Sequence, residues 1–222
     1  MSSRHLAIAL TALAAVSFNA SAQSKAQSKA KSTAATSSSS ASAAHLRYVV
    51  APTGNEARYR VREQLAGVDL PSDAIGKTKD VTGMIVVDPS GTVVKDSSKI
   101  TIGVKTMKSD KSRRDNYLKT HTLETDKFPT VTFVPSSFQG LTGKPGAAPS
   151  TFDVLGDLTL HGVTHPVTWH VSAKADGNDV AGTATTAFTF KDVGLDQPKV
   201  PIVLSVEDTI KLEYDFRFTP KP

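Results

Sequence analysis

The sequence predicts an all-β protein: an antiparallel sandwich or barrel behind an export signal. Three observations predict it. From Tyr48 onward the hydrophobic period is two rather than 3.6. The candidate strands follow one another at short intervals, punctuated by turn signals such as Pro89-Ser90-Gly91 and Asp176-Gly177-Asn178. No helical stretch long enough to build a core intervenes.

The N-terminus reads as a secretory signal over residues 1–22. Arg4 and His5 form a basic start, Leu6 to Phe18 an apolar run, and Ala20-Ser21-Ala22 a small-residue cleavage site before Gln23. The run is too short for the roughly 20 residues that a spanning helix needs. Residues 23–44 hold only Gln, Ser, Lys, Ala and Thr, so no apolar burial offsets the entropy of ordering them, and a flexible tail is expected. The folded domain is expected over 45–222. This division decides what the charge means. The chain carries +5, but Arg4, Lys25, Lys29 and Lys31 lie before residue 45 and no acid does. The body is left with 22 bases against 21 acids, and a nucleic-acid partner loses its electrostatic support.

Within the body, strands are expected over 57–65, 82–88, 99–107, 130–138, 152–160, 166–175, 179–190 and 208–219. The last is the cleanest: Ile210, Leu212, Tyr214, Phe216 and Phe218 alternate with Lys211, Glu213, Asp215 and Arg217. In 57–65, Tyr59, Val61 and Leu65 oppose Arg58, Arg60 and Arg62. One or two helical turns are expected in 112–123, and a Pro-containing loop in 195–204. Thirteen of the 14 aromatics lie in this body. The apolar faces align Tyr59, Val61, Ile102, Phe133, Phe152, Leu158, Trp169, Phe188, Phe190, Phe216 and Phe218 into one inward stripe. A small barrel is either filled by such residues or holds one small ligand, and periodicity does not choose.

Polar chemistry is sparse. With no cysteine, disulfides, thiolate catalysis and cysteine metal sites are excluded. No nucleophile elbow, H-E-x-x-H or phosphate-binding glycine motif occurs, and no catalytic residue is assigned. Arg113, Arg114 and Asp115 form the densest polar knot. A guanidinium there can pair bidentately with a ligand head group. In the structural alternative, which the pattern favours, Arg and Asp bond each other and Asp115 caps the following turn. The two readings coincide if the knot sits at a barrel mouth. His161 and His165 flank Gly162-Val163-Thr164 and read as two exposed imidazoles of a surface hairpin rather than metal ligands.

Two blocks carry a resemblance. Lys111 to Phe133 (KSRRDNYLKTHTLETDKFPTVTF) resembles the R-x-D…L-K…D…(Y/F)-P…F signature of the YceI-like polyisoprenoid-binding proteins, and Phe152 to Trp169 (FDVLGDLTLHGVTHPVTW) is similar to that family's G-x-L-T-x-x-G-V-T-x-P-V hairpin. The resemblance runs from about Tyr48 to Phe218. It implies an eight-stranded antiparallel lipocalin-like barrel with one or two short helices. It also implies an apolar tunnel lined by part of the inward stripe and a periplasmic location. No cofactor is implied; the expected occupant is a lipid, isoprenoid or isoprenoid quinone. The competing expectations are a filled-barrel stress-response interaction module and a lipid hydrolase. A transient membrane contact and a homodimer are left open as partners. Residues 56–80 depart from the family pattern. They lack the His that ends its first aromatic strand and insert a long Pro/Gly/Asp-containing link, which bears on the shape of one mouth.

Overall fold

The computed structural model describes residues 45–222; the expected signal and tail lie outside the described residues. Ten strands form one antiparallel sheet: β1 (Leu46–Val50), β2 (Glu56–Leu65), β3 (Ser72–Thr78), β4 (Val81–Val87), β5 (Lys99–Gly103), β6 (Thr130–Gln139), β7 (Ser150–Leu160), β8 (Val163–Asp176), β9 (Asp179–Thr189) and β10 (Val203–Lys221). They act as eight staves. β1 and β2 lie end to end along one edge of β10, where Val50 faces Phe218 and Glu56 faces Asp215. β4 pairs with β1, and β3 with β2, so these two also run end to end. Each stave neighbours the next in sequence, and the last pairs with the first. The result is a closed up-and-down barrel.

The splice between β1 and β2 is held by Asn55, which is buried. Its Nδ2 donates to the Ala51 carbonyl (2.8 Å), and its Oδ1 accepts from Tyr214 Oη (2.7 Å) and the Arg217 amide (3.1 Å). Asp88 fixes the turn after β4: its Oδ1 accepts from the Ser90 and Thr92 amides, both at 2.9 Å. Gly177, at φ 64°, makes the two-residue turn from β8 to β9. The helix α1 (Ser112–Tyr117) continues into a π-turn at Leu118–Thr122, within the expected 112–123.

Several boundaries differ from expectation. β1 and β3 are additional strands. β3 (SDAIGKT) turns the small residues Ala74 and Gly76 inward, so its alternation is weak in the sequence. β5 ends at Gly103 rather than 107, because the chain leaves the sheet to form α1. β10 begins at Val203, inside the expected 195–204 loop, because β2 supplies a partner for its first residues.

Two glycines shape the interior. Tyr59 on β2 faces Gly76 on β3, and a Cβ at Gly76 would lie 2.2 Å from the Tyr59 ring. Phe216 faces Gly182 on β9, where a Cβ would lie 2.8 Å from Phe216 Cζ and 2.1 Å from the Ser172 carbonyl oxygen. Each ring rests on bare backbone, the aromatic–glycine pairing known to stabilise curved sheets. Gly182→Ala is therefore expected to lower stability by roughly 1–3 kcal/mol through overpacking. Gly146→Ala, with open space around its Cβ, should stay within about 0.5 kcal/mol. Urea midpoints for the two variants test the contrast.

The outer face of β2, β3 and β10 carries an ion-pair ladder. Arg58 donates to Asp215 (2.6 Å) and Glu213 (3.2 Å), Arg60 to Glu213 (2.9 Å) and Asp73 (2.9 Å), and Arg62 to Asp73 (3.1 Å). Hydrogen bonds from Arg60 first, then Arg58, hold Glu213 below its usual range; Arg60 and Arg62 do the same for Asp73. A carboxylate depressed in the folded state contributes stability above its unfolded pKa, about 4, and loses it as pH falls through the folded value. Unfolding free energy followed from pH 6 to pH 3 should fall below about pH 4, and the fall should be shallower in Arg60→Gln.

Candidate functional site

The barrel encloses an apolar cavity of about 1110 Å³. Its lining reaches both ends. At one end lie Arg113, Arg114 and Tyr117 of α1 with Pro198, Val200, Ile202 and Val203; at the other lie Asp88 to Gly91 and Gly143 to Pro145. Of the predicted stripe, Tyr59, Val61, Ile102, Phe133, Phe152, Leu158, Trp169, Phe190, Phe216 and Phe218 all line it. Phe188 does not. It is buried, with its ring 6.4 Å from that of His165, and fills the wall while its cross-strand partner Ile210 faces the lumen. Alternation assigns a face to a residue, not the reach of its ring.

The polar knot is rearranged relative to expectation. Arg114 does not bond Asp115. It donates to Glu63 (2.5 Å) on β2, to Asp110 (2.5 Å) and to Ser109 Oγ (3.2 Å). Asp115 accepts from the Ser109 amide (2.8 Å) and hydroxyl (2.7 Å), so it ties down the loop before α1 rather than capping the helix. It lies behind the cavity wall, beneath α1 with Tyr59 and Leu118. Arg113 lines the mouth, is exposed, and has no hydrogen-bond or ion-pair partner among the described residues. Of the three, only Arg113 is free to meet a head group.

Glu63 was missed by sequence reasoning. Its signal is its position: it shares the apolar face of β2 with Tyr59, Val61 and Leu65, and its side chain is only 8% exposed. Tyr48, Ile85, Leu212 and Tyr214 also line the cavity. His161 is not an exposed imidazole. It packs on Phe128 at 4.5 Å and pairs with Glu124 at 2.9 Å.

Among the described residues, Tyr59 Oη and Trp169 Nε1 of the lining residues are buried without a partner. Each orphan donor costs about 1–3 kcal/mol. Burial pushes the Tyr59 phenol far above its usual pKa, so it stays protonated. Around the α1 mouth an apolar rim is exposed. Val68, Leu70, Ile202 and Leu204 project from two adjoining segments, joined where the Ala66 amide donates to the Ile202 carbonyl (2.9 Å). This rim belongs to the divergent 56–80 segment and its partner strand.

A closed up-and-down barrel around a ligand-sized apolar lumen defines a lipocalin-like architecture. Residues 48–218 match the YceI-like domain, and the chain belongs to that family. It is 28% identical over 179 residues to Protein YceI of Shigella flexneri, covering 75% of this chain and 88% of that protein. It is 33% identical over 132 residues to a UPF0312 protein of Pseudomonas putida. The chain spans 55% to 64% of the length of the Pseudomonas putida relatives it matches. Among solved structures, a polyisoprenoid binding domain from Saccharophagus degradans superposes with a TM-score of 0.58 at 11% identity, over 78% of this chain and 98% of that one. Burkholderia cenocepacia BcnA superposes with a TM-score of 0.57 at 16% identity, over 76% and 98%. At such identities the likeness is one of fold.

Breaking the Glu63–Arg114 pair strands a charge in the wall. Glu63→Gln and Arg114→Gln are each expected to cost up to about 3 kcal/mol. The double variant should cost less than the sum of the two. A double-mutant cycle by denaturant unfolding measures the coupling.

Proposed function

We propose that this protein is an exported, periplasmic binder that sequesters or carries an isoprenoid, an isoprenoid quinone or a similar amphiphile in its barrel. The observation that carries the proposal is the lumen itself: about 1110 Å³, continuous between the barrel ends and lined almost wholly by apolar side chains. That is just above the roughly 300–1,000 Å³ usual for small-molecule sites. A filled barrel would have no such space, which disfavours a solid interaction module. Each CH₂ moved from water into the lumen contributes about 0.8 kcal/mol, so a long chain binds tightly with few polar contacts. Family membership, and the polyisoprenoid-binding description of the Saccharophagus degradans domain, support an isoprenoid in particular. The export signal expected over 1–22 from the sequence supports the periplasmic location.

Binding needs no covalent chemistry, and the groups at the mouth suit recognition rather than catalysis. Arg113 is positioned to orient a head group, while Arg114 and Asp115 hold α1 in place. The apolar rim of Val68, Leu70, Ile202 and Leu204 supports brief contact with a membrane during exchange of the lipid.

Solvent extraction of the purified protein followed by mass spectrometry should yield a bound lipid. Ala184 faces the lumen, so Ala184→Phe, which narrows it, should lower lipid occupancy several-fold while leaving the fold intact by circular dichroism. A protein that carries no lipid, and whose melting temperature added isoprenoids and fatty amides leave unchanged, is not a lipid binder.

A further inference from the structure

One seam of the barrel is not a ladder. Each pair of hydrogen-bonded strands is joined by at least four paired residues. β3 pairs with β2 along one edge, but among the described residues its outer edge carries a single bridge, Lys77 to Lys108. The neighbouring β5 pairs with β4 and β6, not with β3, and ends at Gly103. Residues 104–129 cover the seam instead. Both ends of this segment meet at one root: Gly103 pairs with Thr130, and the Val104 amide donates to the Pro129 carbonyl (3.0 Å). Glu124 and Phe128 fix the root to His161 at the β7–β8 turn. The segment is therefore a flap, and its Val104, Met107, Tyr117, Leu118 and Leu123 line the lumen.

Away from its root the flap is fastened to β2 and β3 at few points. Lys77 and Lys108 exchange backbone hydrogen bonds (2.8 and 3.0 Å), the Thr78 and Thr106 hydroxyls lie 2.8 Å apart, and Arg114 pairs with Glu63 (2.5 Å). From Asn116 to Leu123 the polar contacts are internal. Thr120 Oγ1 donates to the Asn116 carbonyl (2.8 Å), the Leu123 amide donates to the Leu118 carbonyl (2.7 Å), and His121 stacks on Tyr117 (4.9 Å). The flap thus keeps its own bonds when its fastenings part, and a strand edge held by one bridge opens before a full ladder does.

We propose that residues 104–129 form a side gate: the Lys77–Lys108, Thr78–Thr106 and Glu63–Arg114 fastenings release, the flap turns about its root, and the lumen opens along β3 for a lipid to enter or leave. This rests on the lipid-binding reading above and adds the route. Val68 and Leu70 stand in the β2–β3 connection, so the opened slot adjoins the exposed apolar rim. A chain admitted broadside moves between two apolar surroundings, and its head group never has to cross the lumen.

The chain has no cysteine, so one engineered disulfide can lock the gate. Lys77→Cys with Lys108→Cys suits it, because antiparallel residues that exchange both hydrogen bonds stand about 5.5 Å apart at Cα, within the span of a disulfide. Both positions are exposed and neither lines the lumen. Lys174→Cys with Ala181→Cys staples the β8–β9 ladder as a control. The probe is a diprenyl benzoquinone, read by its quenching of Trp169, which lines the lumen and is the only tryptophan in the sequence. Uptake is followed by stopped flow, and release by a chase into phosphatidylcholine vesicles. The oxidised flap disulfide should slow both rates about tenfold or more and leave Kd within about twofold, since a gate acts on the path and not on the bound state. Reduction should restore the wild-type rates. Thr106→Val, which loses one fastening, should exchange about threefold faster at the same Kd. Wild-type rates with the flap disulfide closed, equal slowing by the control disulfide, or no acceleration in Thr106→Val would each overturn the gate and leave lipid binding in place. A wild type that takes up neither the quinone nor, by calorimetry, a fatty amide overturns lipid binding and the gate with it.

Discussion

Closure of the sheet through β10 is the constraint on which the rest of the structure depends. This strand is hydrogen-bonded along both edges, to β9 on one side and to β2 and then β1 on the other. A barrel has no free edge only if one strand closes the circle, and with no cysteine in the chain the closure rests on ladder pairing and packing alone. The difficulty is that the partner stave is broken into β1 and β2. Asn55 resolves it. Its amide satisfies backbone groups of the break and its carbonyl takes a phenol and an amide from β10, so a discontinuity that would strand buried polar groups becomes a bonded junction.

From closure follows a division of labour between faces. The same β10 residues that alternate outward build ion pairs with β2, while those that alternate inward build the lumen. Charge is spent on register outside, where water moderates it, and is nearly excluded inside. Among the described residues the exceptions include the Glu63–Arg114 pair, which joins β2 to α1 at one mouth, charged residues at the rims such as Arg113 and Lys144, and the buried, unpartnered atoms of Tyr59 and Trp169. The Glu63–Arg114 pair is structural, since Asp110 and Ser109 also hold Arg114.

Much of this was legible in the sequence. Period-two alternation, helped at 82–88 by a turn signal after an apolar run, located eight of the ten strands among the described residues, because one buried face imposes it wherever a sheet has an inside and an outside. The two strands it missed are those whose inward residues are small or few: β1 is short, and β3 presents Ala74 and Gly76. The inward stripe was almost fully readable, since facing inward depends on parity alone. Phe188 shows the limit, because parity does not say which ring is covered by its neighbours. The partners of Arg114 were not readable. Glu63 lies 51 residues away, and only closure brings β2 beneath α1. His161 was misread for the same reason: Glu124 and Phe128 reach it through the fold, not through local sequence.

The pairing of Tyr59 with Gly76 and of Phe216 with Gly182 has a consequence for what the barrel can contain. An aromatic ring standing upright from a strand would occupy the bore, whereas one lying on bare backbone becomes part of the wall. The calibre of the tunnel is thus governed from behind the rings, by residues with no side chain to meet a ligand. A single methyl group added at either glycine would act as a plug without touching the bore itself. Changes at such positions would retune which molecules fit while every residue facing the ligand stayed the same.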